Sequence, residues 1–337
     1  MRLSFKSSLS VVAISVAAFL PFHQVEACSR IFWNSNGQAM LVARNMDLED
    51  YPAIYAMPAG KSRTGGINDN PAKWTSKYGS VLMAFYGIAY FFDEGINTQG
   101  LAFHYLFMAG SEYETRDSRP GVDGGIYGQY LLDNAATVAE ALTLMSQTQL
   151  VPGAGKLLPC HIALEDATGD SAVVEFIAGR MVVYHGSAYT VLTNEPPLDQ
   201  QLDNLKRYRK FGGNLPWPGD VESTDRFVRA SAFLSTLNSQ PFSPLHPDLI
   251  SRLFSAIRAV SPPFGSVASD TKSWPTIWTS VLDLTNKAIY FTDTMAANNF
   301  WFDMGKLNFS PGAPRLYLDA SITNLFGDVS QLFIPIK

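Results

Sequence analysis

The spacing of hydrophobic residues predicts that the chain begins with β-strands. Short apolar and aromatic stretches, bounded by Gly, Asn and Ser, are typical of half-buried or buried strands. They predict a hairpin over 30–47 with its turn at 34–37. Two aromatic-rich strands, Val81–Phe92 and Leu101–Phe107, follow, with a hairpin turn predicted over Gly95–Gly100.

Helical periodicity appears in three later blocks. Apolar residues recur at three- and four-residue intervals from Gly128 to Leu144, which predicts one amphipathic helix. Two more helices are predicted over Asp225–Leu237, with Ser223 and Thr224 as capping candidates, and over Asp248–Val260. Strands return between and after these helices, at 161–165, 172–177, 181–184, 189–192, 277–282 and 288–291.

This order of elements predicts an α+β fold. Strands precede a helix, then more strands, two helices and a final hairpin, whereas a doubly wound sheet would alternate single strands and helices. Helices are available to cover two antiparallel sheets, so we expect a layered sandwich. There is no Gly-rich phosphate loop and no internal repeat. A single domain over 28–337 is therefore predicted.

Composition and charge narrow the functional classes. The 337 residues are 47% hydrophobic and 16% charged, with a mean hydropathy of +0.02, which is typical of a folded globular protein. The formal net charge is −5 and the chain contains no run of Lys or Arg. Because nucleic-acid binding normally requires a basic patch, that class of partner is not expected.

Residues 1–27 have the features of a cleaved export signal. Arg2 and Lys6 precede an apolar stretch, Leu9–Leu20, and Val25 and Ala27 occupy the positions that signal peptidase recognises. The apolar stretch is shorter than the about 20 residues that span a bilayer. We therefore expect a periplasmic or secreted protein without stable membrane insertion.

Cleavage after Ala27 would make Cys28 the first residue of the mature chain. One interpretation is a lipidated cysteine, which would make the protein a lipid-anchored or soluble non-catalytic binding protein. Lipoprotein signals prefer Leu and a small residue where Val25 and Glu26 stand, and the strand-like segment Ser29–Trp33 follows without a flexible linker. These features favour the second interpretation, a catalytic N-terminal nucleophile.

An N-terminal cysteine carries its own base. A terminal α-amine has a pKa of about 7.7–8.0, so near neutral pH it can take the thiol proton and return it to a leaving amine. Two alternatives remain open: a disulfide between Cys28 and Cys160, and a cysteine–histidine hydrolase that uses His104 or His161. Histidine spacing typical of zinc sites is absent, and neither a metal nor a cofactor is expected.

The motifs around Cys28 resemble those of a known family. Cys28 followed by Arg44-Asn45-Met46-Asp47 resembles the choloylglycine hydrolase and penicillin V acylase family of N-terminal nucleophile hydrolases. Four further segments support the resemblance in the same order: Gly95–Leu101, Leu192–Pro196, Ser223–Arg229 and Trp278–Tyr290. The resemblance covers nearly the whole mature chain and implies an αββα sandwich that hydrolyses linear, non-peptide amides.

The same resemblance implies roles for three residues near the chain end. Cys28 would be the nucleophile and, through its α-amine, the base. Arg44 would lie beside the sulfur and lower the thiol pKa, and Asp47 would orient the amine. On an ideal strand Arg44 and Asp47 point to opposite faces, so we expect a turn or bulge between them.

The oxyanion site is implied in the same way. Asn194 would donate its side-chain amide to the oxyanion, and Arg226 would complete the polar network around the amine. Many relatives have Asn or Tyr at the position of Phe107, which here can supply only its backbone N–H. Residues such as Asn194 and Phe107 are also common in turns and cores, an alternative that the sequence leaves open.

The substrate class follows from the family and the export signal. Family members hydrolyse bile salts, phenoxyacetyl penicillin or N-acyl homoserine lactones, and exported members favour the two acylase activities over bile salt hydrolysis. The predicted partner is therefore a small-molecule amide, and the family also suggests a homotetramer. Candidate acyl-pocket residues, which could equally be core, are Trp33, Met57, Trp74, Phe107 and Met108.

Overall fold

The computed structural model describes most of the chain from Ala27 onward. The described residues are 27–48, 50, 52–85, 91–153, 159–239, 246–268, 271–272, 274–296 and 298–336. The predicted export signal, apart from Ala27, lies outside them. Within the described residues no helix combines the length and the apolar character that crossing a membrane requires.

The first of the two large sheets contains the strand that begins at Ala27. It has seven strands, antiparallel except for the last pair, and in spatial order they are β14 (Val191–Leu192), β1 (Ala27–Trp33), β2 (Leu41–Asp47), β17 (Trp278–Asp283), β18 (Ala288–Asp293), β19 (Asn299–Asp303) and β21 (Gly327–Asp328). The predicted hairpins over 30–47 and 277–291 form its centre, as β1–β2 and β17–β18.

The second large sheet is fully antiparallel and has nine strands. In spatial order they are β13 (Arg180–His185), β12 (Ser171–Ile177), β11 (Cys160–Glu165), β8 (Ala102–Phe107), β7 (Phe92–Asn97), β6 (Ser80–Ala84), β3 (Ala53–Met57), β20 (Arg315–Asp319) and β22 (Ile334–Ile336). Three small pairs lie outside the two sheets: β4 (Ser62–Thr64) with β5 (Lys73–Thr75), β9 (Gly121–Asp123) with β10 (Gln149–Val151), and β15 (Val267–Ala268) with β16 (Thr271–Lys272).

Five α-helices lie outside the sheets in the part of the chain that the structure describes. They are α1 (Gly124–Asn134), α2 (Val138–Gln147), α3 (Leu198–Leu205), α4 (Ser223–Leu237) and α5 (His246–Arg258). The first two pack on the nine-stranded sheet through Leu131, Leu132 and Val138. Helices α4 and α5 pack on the seven-stranded sheet through Phe227 and Leu253. The predicted αββα sandwich is therefore confirmed.

Some polar side chains of the strands point into the layer between the two sheets. Side chains alternate along β8, so Ala102 and Leu106 belong to the core shared with the seven-stranded sheet, while Phe103 and Tyr105 belong to the core under α1 and α2. His104 lies between Ala102 and Leu106 and therefore points into the layer between the sheets. Polar side chains at such positions lose contact with water and need partners.

The prediction of a single helix from Gly128 to Leu144 is wrong, because the structure has two helices, α1 and α2, in this region. The chain leaves the helical conformation at Ala135, which is extended, and α2 starts after Thr137, whose hydroxyl accepts a hydrogen bond from the N–H of Glu140. The apolar periodicity continues through this break because both helices cover the same sheet, and periodicity alone does not report a change of axis.

Ser223 does not cap α4 as predicted. Glu222 precedes the helix without a capping side-chain hydrogen bond, and Ser223 is already its first residue. The Ser223 hydroxyl instead accepts a hydrogen bond from the backbone N–H of Asn194, at 2.9 Å. Helix α3, which begins directly after Pro197, was not predicted. Leu198, Leu202 and Leu205 recur at helical intervals, but the helix has only eight residues and the others are polar.

The turn predicted over Gly95–Gly100 is shorter in the structure. Strand β7 extends to Asn97, and the turn comprises Thr98 to Gly100. Gly95 thus lies within a buried strand, where a Cβ atom would come within 2.7 Å of the Val81 carbonyl oxygen and 2.9 Å of Leu132 Cδ1. The missing side chain therefore permits close packing of α1 on this sheet.

Gly95→Ala should destabilise the protein by about 1–3 kcal/mol, because the added methyl group overpacks a filled site. Urea unfolding of the variant and the wild type measures the change. Gly110→Ala is the matched control, since a Cβ atom there meets nothing within 4 Å. Equal free energies of unfolding for both variants would contradict this account of the packing.

Candidate active site

The β1–β2 hairpin places Cys28 beside the segment Arg44–Asp47. In the antiparallel register Cys28 pairs with Met46, and Ala27 pairs with Asp47. Strand β2 continues through Asp47 with unbroken pairing, so the expected turn or bulge between Arg44 and Asp47 is wrong.

The two residues approach Cys28 from opposite faces of the sheet. Arg44 points between the sheets, where Nη2 lies 3.9 Å from the Cys28 sulfur. Asp47 points toward the helical layer, where its carboxylate accepts a 2.5 Å hydrogen bond from Thr276 and lies 3.8 Å from Arg226. No bulge is needed, because the thiol and the backbone groups of Cys28 are contacted from different sides.

Asn194 holds the backbone nitrogen of Cys28. Its Oδ1 atom accepts hydrogen bonds from Cys28 N and from Arg226 Nη2, both at 2.7 Å. Its Nδ2 atom donates to the carbonyl oxygen of Phe107 at 2.8 Å, which uses one of the two N–H groups of the amide. The side chain thus has a fixed orientation and retains one N–H donor.

Phe107 lies at the end of β8, next to this amide. In an antiparallel ladder the N–H and C=O of one residue point to the same side. Since the Phe107 carbonyl accepts from Asn194, its N–H is directed to the same side of the strand. The remaining N–H of Asn194 and the N–H of Phe107 are therefore candidate donors near Cys28.

Two buried side chains whose role here was not predicted from the sequence hold the Asn194 loop. Gln201 of α3 donates to the Asn194 carbonyl oxygen at 2.6 Å, and Ser223 of α4 accepts from its N–H. Gln201 and Ser223 are both joined to Thr193 Oγ1 as well. The two helices after the loop thus fix its backbone on both sides.

Arg226 lies in the first turn of α4, completely buried. A positive charge is disfavoured at a helix N-terminus, and burial lowers the pKa of this guanidinium. Its hydrogen bonds offset these costs: Nη1 donates to the carbonyl oxygen of Cys28 at 2.6 Å and to Ser29 Oγ at 2.7 Å, and Nε donates to Val221 O at 2.8 Å. Arg226 therefore ties the helix to the start of β1.

The electrostatics of the site are dominated by burial. Desolvation raises the pKa of the Cys28 thiol, although the positive charges of Arg44 and Arg226 oppose the increase. Arg44 was expected to lower the thiol pKa. Its charge does act in that direction, but the effect of burial is larger. Burial also raises the pKa of Asp47 from 3.8 to about 7. The Asp47 Oδ2 atom is buried without a hydrogen-bond partner among the described residues.

A cleft opens beside the Cys28 thiol. Its empty volume is about 430 Å³, including open solvent at its mouth. Apolar side chains predominate in its lining, which comprises Cys28, Arg44, Met46, Asp47, Leu48, Phe85, Phe91, Asp93, Tyr105, Phe107 and Cys160. Of the five acyl-pocket candidates proposed from the sequence, only Phe107 belongs to this lining.

The other four candidates lie elsewhere, so their assignment to this pocket is corrected. Trp33 is buried under α4, with its Nε1 donating to Asn238 Oδ1. Met57 packs in the core beneath α1 and α2, Met108 is completely buried, and Trp74 donates to Asp133 Oδ2 at 2.7 Å. Large apolar side chains in strands usually fill cores, and these four follow that tendency.

Both histidines of the cysteine–histidine alternative are engaged with carboxylates. His104 lies between Glu94 and Glu165. His161 contacts Glu175 through Nδ1 at 3.2 Å and the Thr193 carbonyl oxygen through Nε2 at 2.8 Å. Each histidine thus has both ring nitrogens directed at groups other than the Cys28 sulfur.

The two cysteines are both free thiols, so the disulfide alternative is not realised. Within the described part of the chain there is no group of three or more His, Cys, Asp or Glu residues that could hold a metal ion.

The acidic pair Asp93 and Glu94 also belongs to the site and was missed. Arg44 Nη1 lies 2.9 Å from Asp93 Oδ2 and 3.3 Å from Glu94 Oε2. The sequence could have revealed this pair, because two adjacent acids stand in a strand that is otherwise aromatic and apolar. Charged residues at such positions are rarely buried without partners.

The chain is similar to known amide hydrolases. The family model described as linear amide C–N hydrolases, choloylglycine hydrolase family, matches residues 28–317. Penicillin V acylase of Pectobacterium atrosepticum is 33% identical over 97% of this chain and 94% of its own length.

Solved structures show the same similarity. The structure of penicillin V acylase from Agrobacterium tumefaciens matches with a TM-score of 0.82 and 34% identity, covering 92% of this chain and 98% of its own. Conjugated bile acid hydrolase from Clostridium perfringens shares the fold, with a TM-score of 0.74 at 21% identity over 89% of this chain and 98% of its own.

The buried Asp47 should make the stability of the uncleaved chain, in which Ala27 still precedes Cys28, depend on pH. Between pH 3.8 and about 7 the native state keeps the Asp47 proton while the unfolded state loses it. The free energy of unfolding should therefore fall as pH rises through this window. Asp47→Asn removes this contribution, so the variant should gain stability relative to the wild type from low to neutral pH.

Urea unfolding across this pH range measures the difference. Asp203→Asn is the control, because the Asp203 side chain is 74% exposed, and its stability difference from the wild type should stay nearly constant. Parallel stability curves for Asp47→Asn and the wild type would rule out a buried, protonated Asp47.

Proposed function

The chain belongs to the choloylglycine hydrolase family of linear amide C–N hydrolases, and we propose that it cleaves its amide with the Cys28 thiol as nucleophile and the Cys28 α-amine as base. The enzyme is an amidohydrolase, as its family is. We further propose that residues 1–27 are removed during export to the periplasm or beyond, leaving one catalytic domain over 28–337. The family match begins at residue 28, in agreement with this boundary.

The polar environment of the Cys28 nitrogen carries the proposal. Asn194 Oδ1 accepts a hydrogen bond from this nitrogen, and the neighbouring Asp47 carboxylate has a buried oxygen that accepts no hydrogen bond from the described residues. An amide nitrogen has one hydrogen to donate, whereas a terminal amine has two or three. Cleavage after Ala27 would supply a donor for Asp47, so the site is better matched to a chain end than to a continuing chain.

The raised thiol pKa supports the need for a base. A thiol that remains protonated near neutral pH must lose its proton as it attacks. The α-amine of Cys28 is adjacent and has an ordinary pKa of about 7.7–8.0. Asn194 and Asp47 would accept its hydrogens and so direct its lone pair toward the sulfur.

The reaction then proceeds through a thioester. The sulfur bonds to the amide carbon, the C–N bond breaks, and the α-amine transfers the thiol proton to the leaving nitrogen. Water next attacks the thioester, the C–S bond breaks, and the acid is released as the thiol regains a proton. In this proposal the remaining N–H of Asn194 and the backbone N–H of Phe107 donate to the oxyanion.

The geometry does not favour the cysteine–histidine alternative. A histidine base requires a ring nitrogen within hydrogen-bond reach of the sulfur. The nitrogens of His104 and His161 face glutamates or a carbonyl oxygen. A lipid-anchored, non-catalytic binding protein is disfavoured by family membership and by the elaborate polar network around the Cys28 nitrogen.

We propose a penicillin V acylase or an N-acyl homoserine lactone acylase, with bile salt hydrolysis as the alternative. Relatives at 33% and 34% identity are penicillin V acylases. Phe85, Phe91 and Phe107 line the cleft, and aromatic side chains suit an apolar or aromatic acyl group. The sequence features of an export signal favour the same two activities.

A comparison of three amides tests the proposal. The purified mature enzyme is assayed side by side on penicillin V, a long-chain N-acyl homoserine lactone and a glycine-conjugated bile salt. We expect kcat/KM to be highest for one of the first two substrates. Cys28→Ala should lose turnover to at least about 1,000-fold below the wild type, since the nucleophile is absent.

Circular dichroism and thermal unfolding of Cys28→Ala provide the structural control. The variant should keep the wild-type fold, because alanine retains the backbone nitrogen and carbonyl oxygen of residue 28, to which Asn194 and Arg226 bind. Turnover by Cys28→Ala at the wild-type rate would refute the nucleophile. A preference for the bile salt would support the alternative substrate, and failure on all three amides would contradict the substrate assignment.

A further inference from the structure

A buried chain of five charged side chains runs between the two sheets and ends at the active site. Its members, in order, are Arg30, Glu165, His104, Glu94 and Arg44. Each side chain is no more than 2% exposed. Charged side chains are almost never buried to this extent unless they are paired.

The fold brings these residues together from five strands. Arg30 on β1 and Arg44 on β2 are cross-strand partners in the seven-stranded sheet, and Glu94 on β7 and His104 on β8 are partners in the nine-stranded sheet. Glu165 of β11 approaches Arg30 and His104 at short distance. The two arginines from one sheet thus lie at the two ends of the Glu165–His104–Glu94 group of the other sheet.

His104 is the central member of the chain. Its Nε2 atom faces Glu165, and its Nδ1 atom lies 3.7 Å from Glu94. Burial lowers the pKa of His104, but the two glutamates outweigh it and raise the value to about 9. The imidazole is therefore protonated at neutral pH.

Protonation of His104 determines the charge that Cys28 experiences. With a protonated His104, three cations and two anions leave one positive charge in the chain. With a neutral residue at position 104, the two arginines and the two glutamates cancel. The last member, Arg44, is 3.9 Å from the Cys28 sulfur. Asp93, which lies 2.9 Å from Arg44 Nη1, is present in both cases, so the loss of one positive charge at position 104 makes the surroundings of the thiol more negative.

We propose that His104 is a positioning residue for catalysis, which as a cation holds Glu94 in place and offsets its charge, so that Arg44, which also contacts Asp93, stabilises the Cys28 thiolate. This inference rests on the proposed role of Cys28 as nucleophile. His104 itself does not contact the sulfur: its partners are the two glutamates. The other charged groups that face the Cys28 thiol are Asp47, which raises its pKa, and Arg226, which lowers it.

Glu94 is held from two further sides, by Ser280 and by Arg44. It therefore connects His104 to Arg44. Ser280 of β17 donates to Glu94 Oε1 at 2.5 Å, while Glu94 Oε2 contacts Arg44 Nη1 at 3.3 Å. Without a cation at position 104, the full charge of Glu94 would fall on Arg44. The guanidinium would then stabilise a neighbouring thiolate less.

His104→Gln in the mature enzyme tests this inference. The rate of Cys28 alkylation by iodoacetamide is followed against pH by mass spectrometry of the N-terminal peptide, which separates Cys28 from Cys160. We expect the midpoint of the profile to rise by about one pH unit, which is about a tenfold loss of thiolate below the midpoint. kcat should fall about tenfold, with KM changed less than about twofold.

The double variant His104→Gln/Glu165→Gln separates charge from packing. It removes one cation and one anion, so the chain again carries one positive charge, and the alkylation midpoint should return toward that of the wild type. A histidine that served as general base, or one that merely filled space, would not be rescued in this way. His185→Gln is the control, because His185 is 43% exposed and pairs with Asp170 at the surface, and it should behave as the wild type.

An unchanged alkylation midpoint in His104→Gln, or a double variant no better than the single one, would overturn the inference. If the single variant does not fold, nitrogen-15 NMR of wild-type imidazoles decides, with the double variant used for assignment. His104 should then give an imidazolium signal at pH 8, and a neutral ring at pH 7 would overturn the inference. A wild type that neither alkylates at Cys28 nor hydrolyses any of the three amides contradicts the proposed function instead.

Discussion

The site depends on one constraint: the nitrogen and the carbonyl oxygen of Cys28 are buried at the end of a strand, away from water. Each such group must find a partner, because an unpaired buried backbone group is costly. Asn194 accepts from the nitrogen, and Arg226 donates to the oxygen. The same two side chains are joined to each other, so the polar atoms of Cys28 are held by a single connected network.

This network links distant parts of the chain. Asn194 follows the edge strand β14, Arg226 begins α4, and Arg44 and Asp47 come from β2. Gln201 and Ser223 fix the Asn194 loop from α3 and α4. A connected buried network of this kind restricts the side chains that it joins, which suits a reaction in which the nucleophile, base and oxyanion donors must be aligned before substrate binds.

Much of this arrangement was predictable from local patterns in the sequence. Alternating apolar residues predicted both central hairpins, and the motif containing Arg44 and Asp47 indicated which strand lies beside Cys28. The break between α1 and α2 escaped prediction, because Ala135 leaves the helix while the apolar spacing continues. The bulge expected after Arg44 was wrong, because strand geometry alone does not reveal that Cys28 is approached from both faces of its sheet.

The partners of buried charges were harder to predict. Glu94, His104 and Glu165 lie on neighbouring strands of one sheet. Arg30 and Arg44 belong to the other sheet, and only the packing of the two sheets brings them to these residues. The acyl-pocket candidates failed for a related reason. Trp33 and Met57 are residue types that often line binding pockets. Tertiary structure decides whether the face of the strand that carries them meets a core or a cleft.

The most direct test of the account is the identity of the first residue of the exported protein. N-terminal sequencing, combined with intact mass, should be performed on protein purified from the compartment outside the cytoplasm. The account predicts a chain that begins at Cys28 with an unmodified α-amine and a free thiol. A chain that begins at any other residue, or an amine blocked by an acyl group, would contradict the assignment of this amine as the catalytic base.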